Sequence, residues 1–146
     1  MIEKCIENWH KHLRGELEGG LDTLLDDDCV FISPIVFSPQ KGKALTTMYL
    51  QAAGSTFSGD EAPTSKPLHD AANAAGRKFS YIKEVMSGHH AVLEFETEVD
   101  GKYVNGIDMI TCNDEGKIVE FKVMIRPLQA IQMMHAQMAA MLEKMK

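Results

Sequence analysis

The sequence predicts an α+β fold, and three observations lead to this prediction. Apolar residues recur at helical spacing near the N-terminus, over residues 2–14. Four consecutive strand-like segments with short turns between them occupy residues 78–126. A last helical segment begins at Pro127 and carries five of the ten methionines. Helices followed by a run of antiparallel strands are typical of the α+β class.

The first half of the chain combines helices with a single strand. Isoleucine, tryptophan and leucine side chains at helical spacing predict a helix at residues 2–14, and leucines predict a second, short helix near residues 18–26. β-Branched and aromatic residues then predict a strand at residues 29–33, which Pro34 ends. A third helix is predicted around residues 43–53.

Residues 54–77 have a different composition, dominated by Gly, Pro, Ser, Thr, Asp and Ala. A connection of this length inside a compact fold is uncommon and often functional. We therefore expect a lid or a long loop at residues 54–77, within a single domain that spans residues 1–146.

The second half predicts an antiparallel meander with strands at residues 78–86, 90–99, 102–112 and 117–126. Asp100-Gly101 is the strongest hairpin signal in the sequence, because both turn positions tolerate positive φ. The order of elements is therefore helices, a strand, a helix, a meander and a final helix.

Asp108 lies in the middle of the third meander strand, among residues that a half-buried sheet prefers. The turn at Asp100-Gly101 pairs Asp108 with Leu93, and a turn after Cys112 would pair it with Phe121. Directly opposed residues share a face, so both turns place Asp108 on the apolar face. Burial would raise its pKa, and the carboxyl could then donate a hydrogen bond or act as a general acid or base. The alternative is a structural acid that is satisfied by a buried hydroxyl, a histidine or the Trp9 indole N–H.

Composition and charge argue against several classes of function. The 146 residues are 45% hydrophobic and 25% charged, with a net charge of −6. The sequence lacks the clustered basic face that nucleic acid requires, a membrane-length apolar stretch and a signal-like N-terminus. The cysteines and histidines show no metal-binding spacing. We therefore expect a cytoplasmic protein with no metal, no cofactor, no nucleic-acid partner and no membrane partner.

Residues of the last two strands, together with the element order, resemble the nuclear transport factor 2-like superfamily, particularly its SnoaL-like domains. The resemblance covers nearly the whole chain and is carried by Gly106, Asp108, Asp114, Gly116, Lys117, Ile118, Phe121, Arg126 and Pro127. It implies a cone-like curved antiparallel β-sheet wrapped around N-terminal helices, with a C-terminal helix and an apolar pocket. Its members include ketosteroid isomerases, polyketide cyclases and non-catalytic binding domains. The resemblance also implies that Asp108 matches the protonated acid of the ketosteroid isomerases.

Two departures from the isomerase pattern are visible. Ser33 stands before Pro34, where those isomerases have their general-base acid, and a serine hydroxyl cannot do that job. The first helix has no tyrosine near Trp9 to partner the acid. Steroid isomerisation by the known isomerase mechanism is therefore not expected.

We predict that the protein binds a small hydrophobic molecule in an apolar pocket with one buried acid. If it is an enzyme, it would be an isomerase, cyclase, dehydratase or epoxide hydrolase that needs no cofactor, with Asp108 as general acid or hydrogen-bond donor. The predicted ligand-binding residues are Trp9, Tyr49, Phe95, Val104, Ile110, Phe121, Val123 and Ile125. The alternative is a non-catalytic ligand-binding or dimerisation domain whose cone is filled by its own side chains. The family resemblance also suggests a homodimer formed through the outer sheet face.

Overall fold

A computed structural model of the chain describes residues 1–56 and 79–144. Its elements in chain order are α1 (Ile2–Leu13), α2 (Gly20–Leu24), β1 (Leu25–Ile32), β2 (Gln40–Lys41), α3 (Lys43–Thr56), β3 (Ser80–Ser87), β4 (His90–Val99), β5 (Lys102–Cys112), β6 (Ile118–Arg126) and α4 (Leu128–Lys144). The predicted α+β class is confirmed.

The strands form one six-stranded sheet in the order β2-β1-β6-β5-β4-β3. The sheet is mainly antiparallel, as predicted, and β1 and β6 are its one parallel pair among the described strands. The two strands are far apart in sequence, and the intervening chain returns β6 alongside β1 in the same direction. Pairing is irregular within β1–β6, β3–β4 and β5–β6. Such irregularities bend strands and increase their twist, which helps a sheet to curve around helices.

The hairpin of β4 and β5 has the predicted register. Val99 pairs with Lys102, and Leu93 pairs with Asp108 across the Asp100-Gly101 turn. Asp100 has a positive φ of 51° and Gly101 one of 75°, as this short turn requires.

The predicted register of β5 and β6 is wrong by two residues. Asp108 pairs with Val123 rather than with Phe121, and the register shifts between Thr111 and Cys112. The Asn113 side chain accepts hydrogen bonds from the backbone N–H groups of Glu115 and Lys117, which makes a wider turn than expected. A two-residue error keeps every side chain on its predicted face, so Asp108 still lies on the inner side.

Gly106 lets an aromatic ring lie flat on the inner face of the sheet. Phe95 is its cross-strand partner. A Cβ atom added at Gly106 would lie 2.6 Å from Cζ of Phe95 and 2.5 Å from the carbonyl oxygen of Met124. The missing side chain therefore makes room for the Phe95 ring of β4 at Gly106, two residues before Asp108 on β5.

The helices differ from prediction mainly at their ends. The helix predicted near residues 18–26 is only Gly20–Leu24, because Asp26, Asp27 and Asp28 already belong to β1. The chain is extended from Leu25 onward, and Asp27 and Asp28 are exposed there. Of the predicted lid at residues 54–77, residues 54–56 end α3 and the others lie outside the described residues. None of the described helices has the length and apolar character that a membrane crossing needs.

Candidate functional site

An apolar cavity of about 220 Å³ lies between the inner face of the sheet and helices α1, α3 and α4. Its wall combines aromatic and aliphatic side chains. The Phe121 ring lies 4.9 Å from the Trp9 ring, and the Phe79 ring lies 4.9 Å from the Phe95 ring and stacks on it. Phe31 completes this aromatic part of the wall.

Six of the nine predicted site residues meet in the wall of this cavity. They are Trp9, Phe95, Asp108, Phe121, Val123 and Ile125. The structure does not bring Val104, Ile110 and Tyr49 to the wall. Val104 and Ile110 share the inner face with Asp108 but are fully covered by the surrounding core. Tyr49 stacks behind the wall on Phe31, with 5.3 Å between ring centroids.

Asp108 is buried, with 6% of its surface exposed, and it ends a chain of hydrogen bonds. The indole Nε1–H of Trp9 donates to the hydroxyl oxygen of Tyr81 over 3.0 Å. The Tyr81 hydroxyl donates in turn to Oδ2 of Asp108 over 2.5 Å. Elements α1, β3 and β5 therefore hold the carboxyl in one orientation.

The second carboxyl oxygen of Asp108 has no partner in the part of the chain that the structure describes. Tyr81 donates to Oδ2. Oδ1 keeps some exposure to solvent. Asp108 belongs to the cavity wall. Oδ1 is therefore the polar atom of this carboxyl that a molecule in the cavity can reach.

Burial raises the pKa of Asp108 from 3.8 to about 7, and the hydrogen bond from Tyr81 opposes part of this rise. A carboxylate in an apolar site loses the hydration that it would have in water, which favours the protonated form. At neutral pH a large fraction of Asp108 is therefore a carboxylic acid, which can donate a hydrogen bond from Oδ1. Asp108 is also the group that a bound base could deprotonate.

Tyr81 is a candidate site residue that the sequence did not indicate. The family resemblance places a tyrosine partner for the acid on the first helix, which contains no tyrosine. The structure supplies the phenol from β3 instead, while Trp9 of α1 supports it. The His10 ring meets the Tyr81 ring edge-on at 5.5 Å, and His10 Nε2 lies 2.8 Å from Oε2 of Glu84. Tyr81 is thus fixed from two sides.

Ser33 has a structural role at the place where a general base would stand. Its hydroxyl oxygen accepts hydrogen bonds from the backbone N–H groups of Ile35 and Val36, at 2.9 and 3.2 Å. It fixes the turn after β1. The neighbouring Pro34 lines the cavity, so the turn shapes the wall although Ser33 takes no part in it.

The wall also includes His12, which the sequence reasoning did not select. It lies three residues after Trp9 on α1, so the two side chains share a helix face, and their rings are 5.5 Å apart. Within residues 1–56 and 79–144, no three His, Cys, Asp or Glu side chains are grouped as they would be to hold a metal ion.

Three solved structures are informative neighbours of this chain. A steroid delta-isomerase from Pseudomonas aeruginosa is 29% identical, with a TM-score of 0.80 over 98% of this chain and 92% of that chain. An uncharacterised bacterial protein with a cystatin-like fold from Silicibacter pomeroyi is 24% identical, with a TM-score of 0.73 over 93% and 83%. A nuclear transport factor 2-like protein of unknown function from Mesorhizobium loti is 15% identical, with a TM-score of 0.63 over 86% and 91%. No protein-family model and no curated protein matches the sequence.

Proposed function

This chain belongs to the nuclear transport factor 2-like superfamily, and we propose that it binds a small, largely apolar molecule through one oxygen atom and carries out acid–base chemistry on it. The observation that carries the proposal is the carboxyl of Asp108. Its Oδ2 accepts a hydrogen bond from Tyr81, and the residue lines an apolar cavity. A protonated carboxyl held in this way is a directed hydrogen-bond donor for a carbonyl, enol or phenol oxygen.

The size of the cavity supports a ligand of one or two rings. An engineered apolar cavity of about 150 Å³ is known to bind benzene, and the cavity here measures about 220 Å³. The aromatic wall favours a flat, apolar ring system over a polar metabolite. The chain is also similar to a protein named a steroid delta-isomerase, and a steroid is an apolar ring compound.

The role of Ser33 supports a second candidate, a site that binds without catalysis. Because the Ser33 hydroxyl is engaged by two backbone N–H groups, the turn after β1 offers no base. Such a protein would use the hydrogen bond from Asp108 for recognition alone. Binding tests the part that both candidates share, and proton transfer separates them.

Calorimetric titration with 2-naphthol and 2-methylnaphthalene tests the binding proposal. The two probes have the same rings, and only the first carries a hydroxyl. A hydrogen bond between neutral groups is worth about 0.5–1.5 kcal/mol, and one to a charged carboxylate about 1.5–3 kcal/mol, so we expect 2-naphthol to bind roughly 2- to 100-fold more tightly. Asp108→Leu should remove this preference, while Asp114→Asn, which changes an exposed acid, should keep it. Equal affinities for the two probes in the wild-type protein would contradict the proposal.

We also propose that two copies associate through the outer face of the sheet. Cross-strand pairing places the exposed Val85 beside Val92, and Val92 beside Met109, in one apolar row across that face. Association would cover this row. Sedimentation should therefore give the mass of a dimer, and Val85→Glu should give a monomer, whereas Phe37→Glu, in an exposed loop, should remain dimeric. A monomeric wild-type protein at high concentration would refute this proposal.

A further inference from the structure

His12 is a half-buried imidazole in the wall of the cavity that holds Asp108. Within the described ranges, neither of its ring nitrogens has a hydrogen-bond partner, and its described ring contact is with Trp9. His10, two residues earlier, lies on another side of α1 and is paired with Glu84. The two histidines therefore differ in their surroundings: the His10 ring pairs with Glu84, whereas the His12 ring nitrogens are unpaired among the described residues.

Burial lowers the pKa of His12, with no charged group contributing to the change. The imidazole is therefore neutral at physiological pH and has a basic lone pair. Tyr81 of β3 and Asp108 of β5 are the other titratable groups among the described wall residues, which include no lysine, arginine or glutamate. The same apolar surroundings favour the acid form of Asp108 and the base form of His12. Such a divided pair is the usual arrangement for acid–base assignments.

We propose that His12 is the proton acceptor of this site and that the substrates are apolar ketones with an acidic C–H bond next to the carbonyl. The assignment rests on the proposed binding of a ligand oxygen by Asp108. It places the base on α1, on a different element from the turn that Ser33 occupies.

The proposed step conserves atoms and charge. The carbon–hydrogen bond next to the carbonyl breaks, and its proton moves to a ring nitrogen of His12. Its electron pair becomes the carbon–carbon double bond of an enol, whose oxygen takes the proton from Oδ1 of Asp108. In a simple ketone the proton returns to the same carbon, and in heavy water a deuteron replaces it. If a carbon–carbon double bond adjoins that carbon, the intermediate is a dienol, and return of the His12 proton to the far end of the dienol, with the enol proton going back to Asp108, completes an isomerisation. Neither an oxidant nor a reductant is needed.

Hydrogen–deuterium exchange of 2-tetralone in heavy water, followed by NMR, tests the role of His12. The enol of 2-tetralone carries its hydroxyl at the position where 2-naphthol has one, so the two probes address the same site. General-base catalysis contributes about 10²- to 10⁴-fold. We therefore expect His12→Gln to slow the exchange by at least about 100-fold while it keeps the affinity for 2-naphthol. His89→Gln, on the surface and paired with Asp114, should behave as the wild type does.

A structural role for His12 would not produce two further results. Free imidazole should restore exchange to His12→Gly, and the loss of rate at low pH, where His12 is protonated, should disappear in His12→Gln. If 2-naphthol fails to bind the wild-type protein, the proposed function itself is refuted. If 2-naphthol binds but 2-tetralone does not exchange, or if His12→Gln exchanges at the wild-type rate, the proposed role of His12 alone is refuted.

Discussion

Replacing Asp108 by asparagine should stabilise the folded protein at pH 8 and change its stability little at pH 4. In the folded wild type, the pKa of Asp108 is raised from 3.8 to about 7. The folded state therefore binds this proton more tightly than the unfolded state does. The resulting stabilisation is complete below the unfolded pKa and is lost as the pH rises through the folded one. The difference between the two values corresponds to about 4 kcal/mol.

Asparagine is a suitable replacement because its amide oxygen can accept the hydrogen bond that Tyr81 now donates to Oδ2. The variant should gain up to about 4 kcal/mol over the wild type above pH 7. Urea unfolding at intervals from pH 4 to pH 8 measures the difference between the two proteins. Asp28→Asn, an exposed acid on β1, is the matched control and should follow the wild-type curve. Parallel curves for Asp108→Asn and the wild type would refute the reasoning, and so would a variant that is less stable at pH 8.

Two other substitutions test the support around the acid. Tyr81→Phe removes the hydrogen bond that lowers the pKa of Asp108. Carboxyl-carbon NMR should therefore show a pKa higher by roughly 1–2 in this variant. The control Tyr49→Phe should leave the pKa of Asp108 unchanged. An unchanged or lower pKa in Tyr81→Phe would contradict the hydrogen-bond chain. Gly106→Ala should lower the free energy of unfolding by about 1–3 kcal/mol, because its Cβ would lie 2.5 Å from a backbone oxygen. The control is Gly54→Ala, at a helical position with open space around it, and it should leave the free energy of unfolding unchanged or raise it. Equal decreases in the free energy of unfolding of both variants would argue against a steric cause.

The inward orientation of Asp108 could be predicted because its evidence is local. The Asp100-Gly101 turn sets the register of β4 and β5, and that register is confirmed. The turn at Asn113 is wider than predicted, which shifts the pairing of β5 with β6 by two residues. A shift of two leaves every side chain on its predicted face. A strand has a period of two, so a prediction of faces survives errors that a prediction of partners does not.

The partner of Asp108 could not be found in the same way, since Tyr81 reaches it past an intervening strand. β4 lies between β3 and β5 in the sheet, and the pairing of β3 shifts just after Tyr81. The position of that shift has no signal in the sequence. The parallel pairing of β1 with β6 was missed for a related reason, because a long-range pair leaves no turn between its strands.

His12 was within reach of the sequence. Trp9 and His12 are three residues apart, a spacing that places two side chains on one face of a helix. His10 lies two residues before His12, on another side of the helix, and its ring is bonded to Glu84. The buried stripe of α1 (Ile2, Cys5, Ile6 and Trp9) continues at helical spacing to position 12, which indicates that His12 lies beside the core.

Trp9 is the single tryptophan of the chain, and its place at the head of the hydrogen-bond chain makes it an optical reporter. Light absorbed selectively by tryptophan is emitted from an indole that lines the cavity and is bonded to the phenol that holds Asp108. Both ionisation of the carboxyl and entry of an aromatic ligand change the surroundings of this ring. The intrinsic fluorescence of the unlabelled protein should therefore follow the protonation of its acid and the occupancy of its cavity in the same titration.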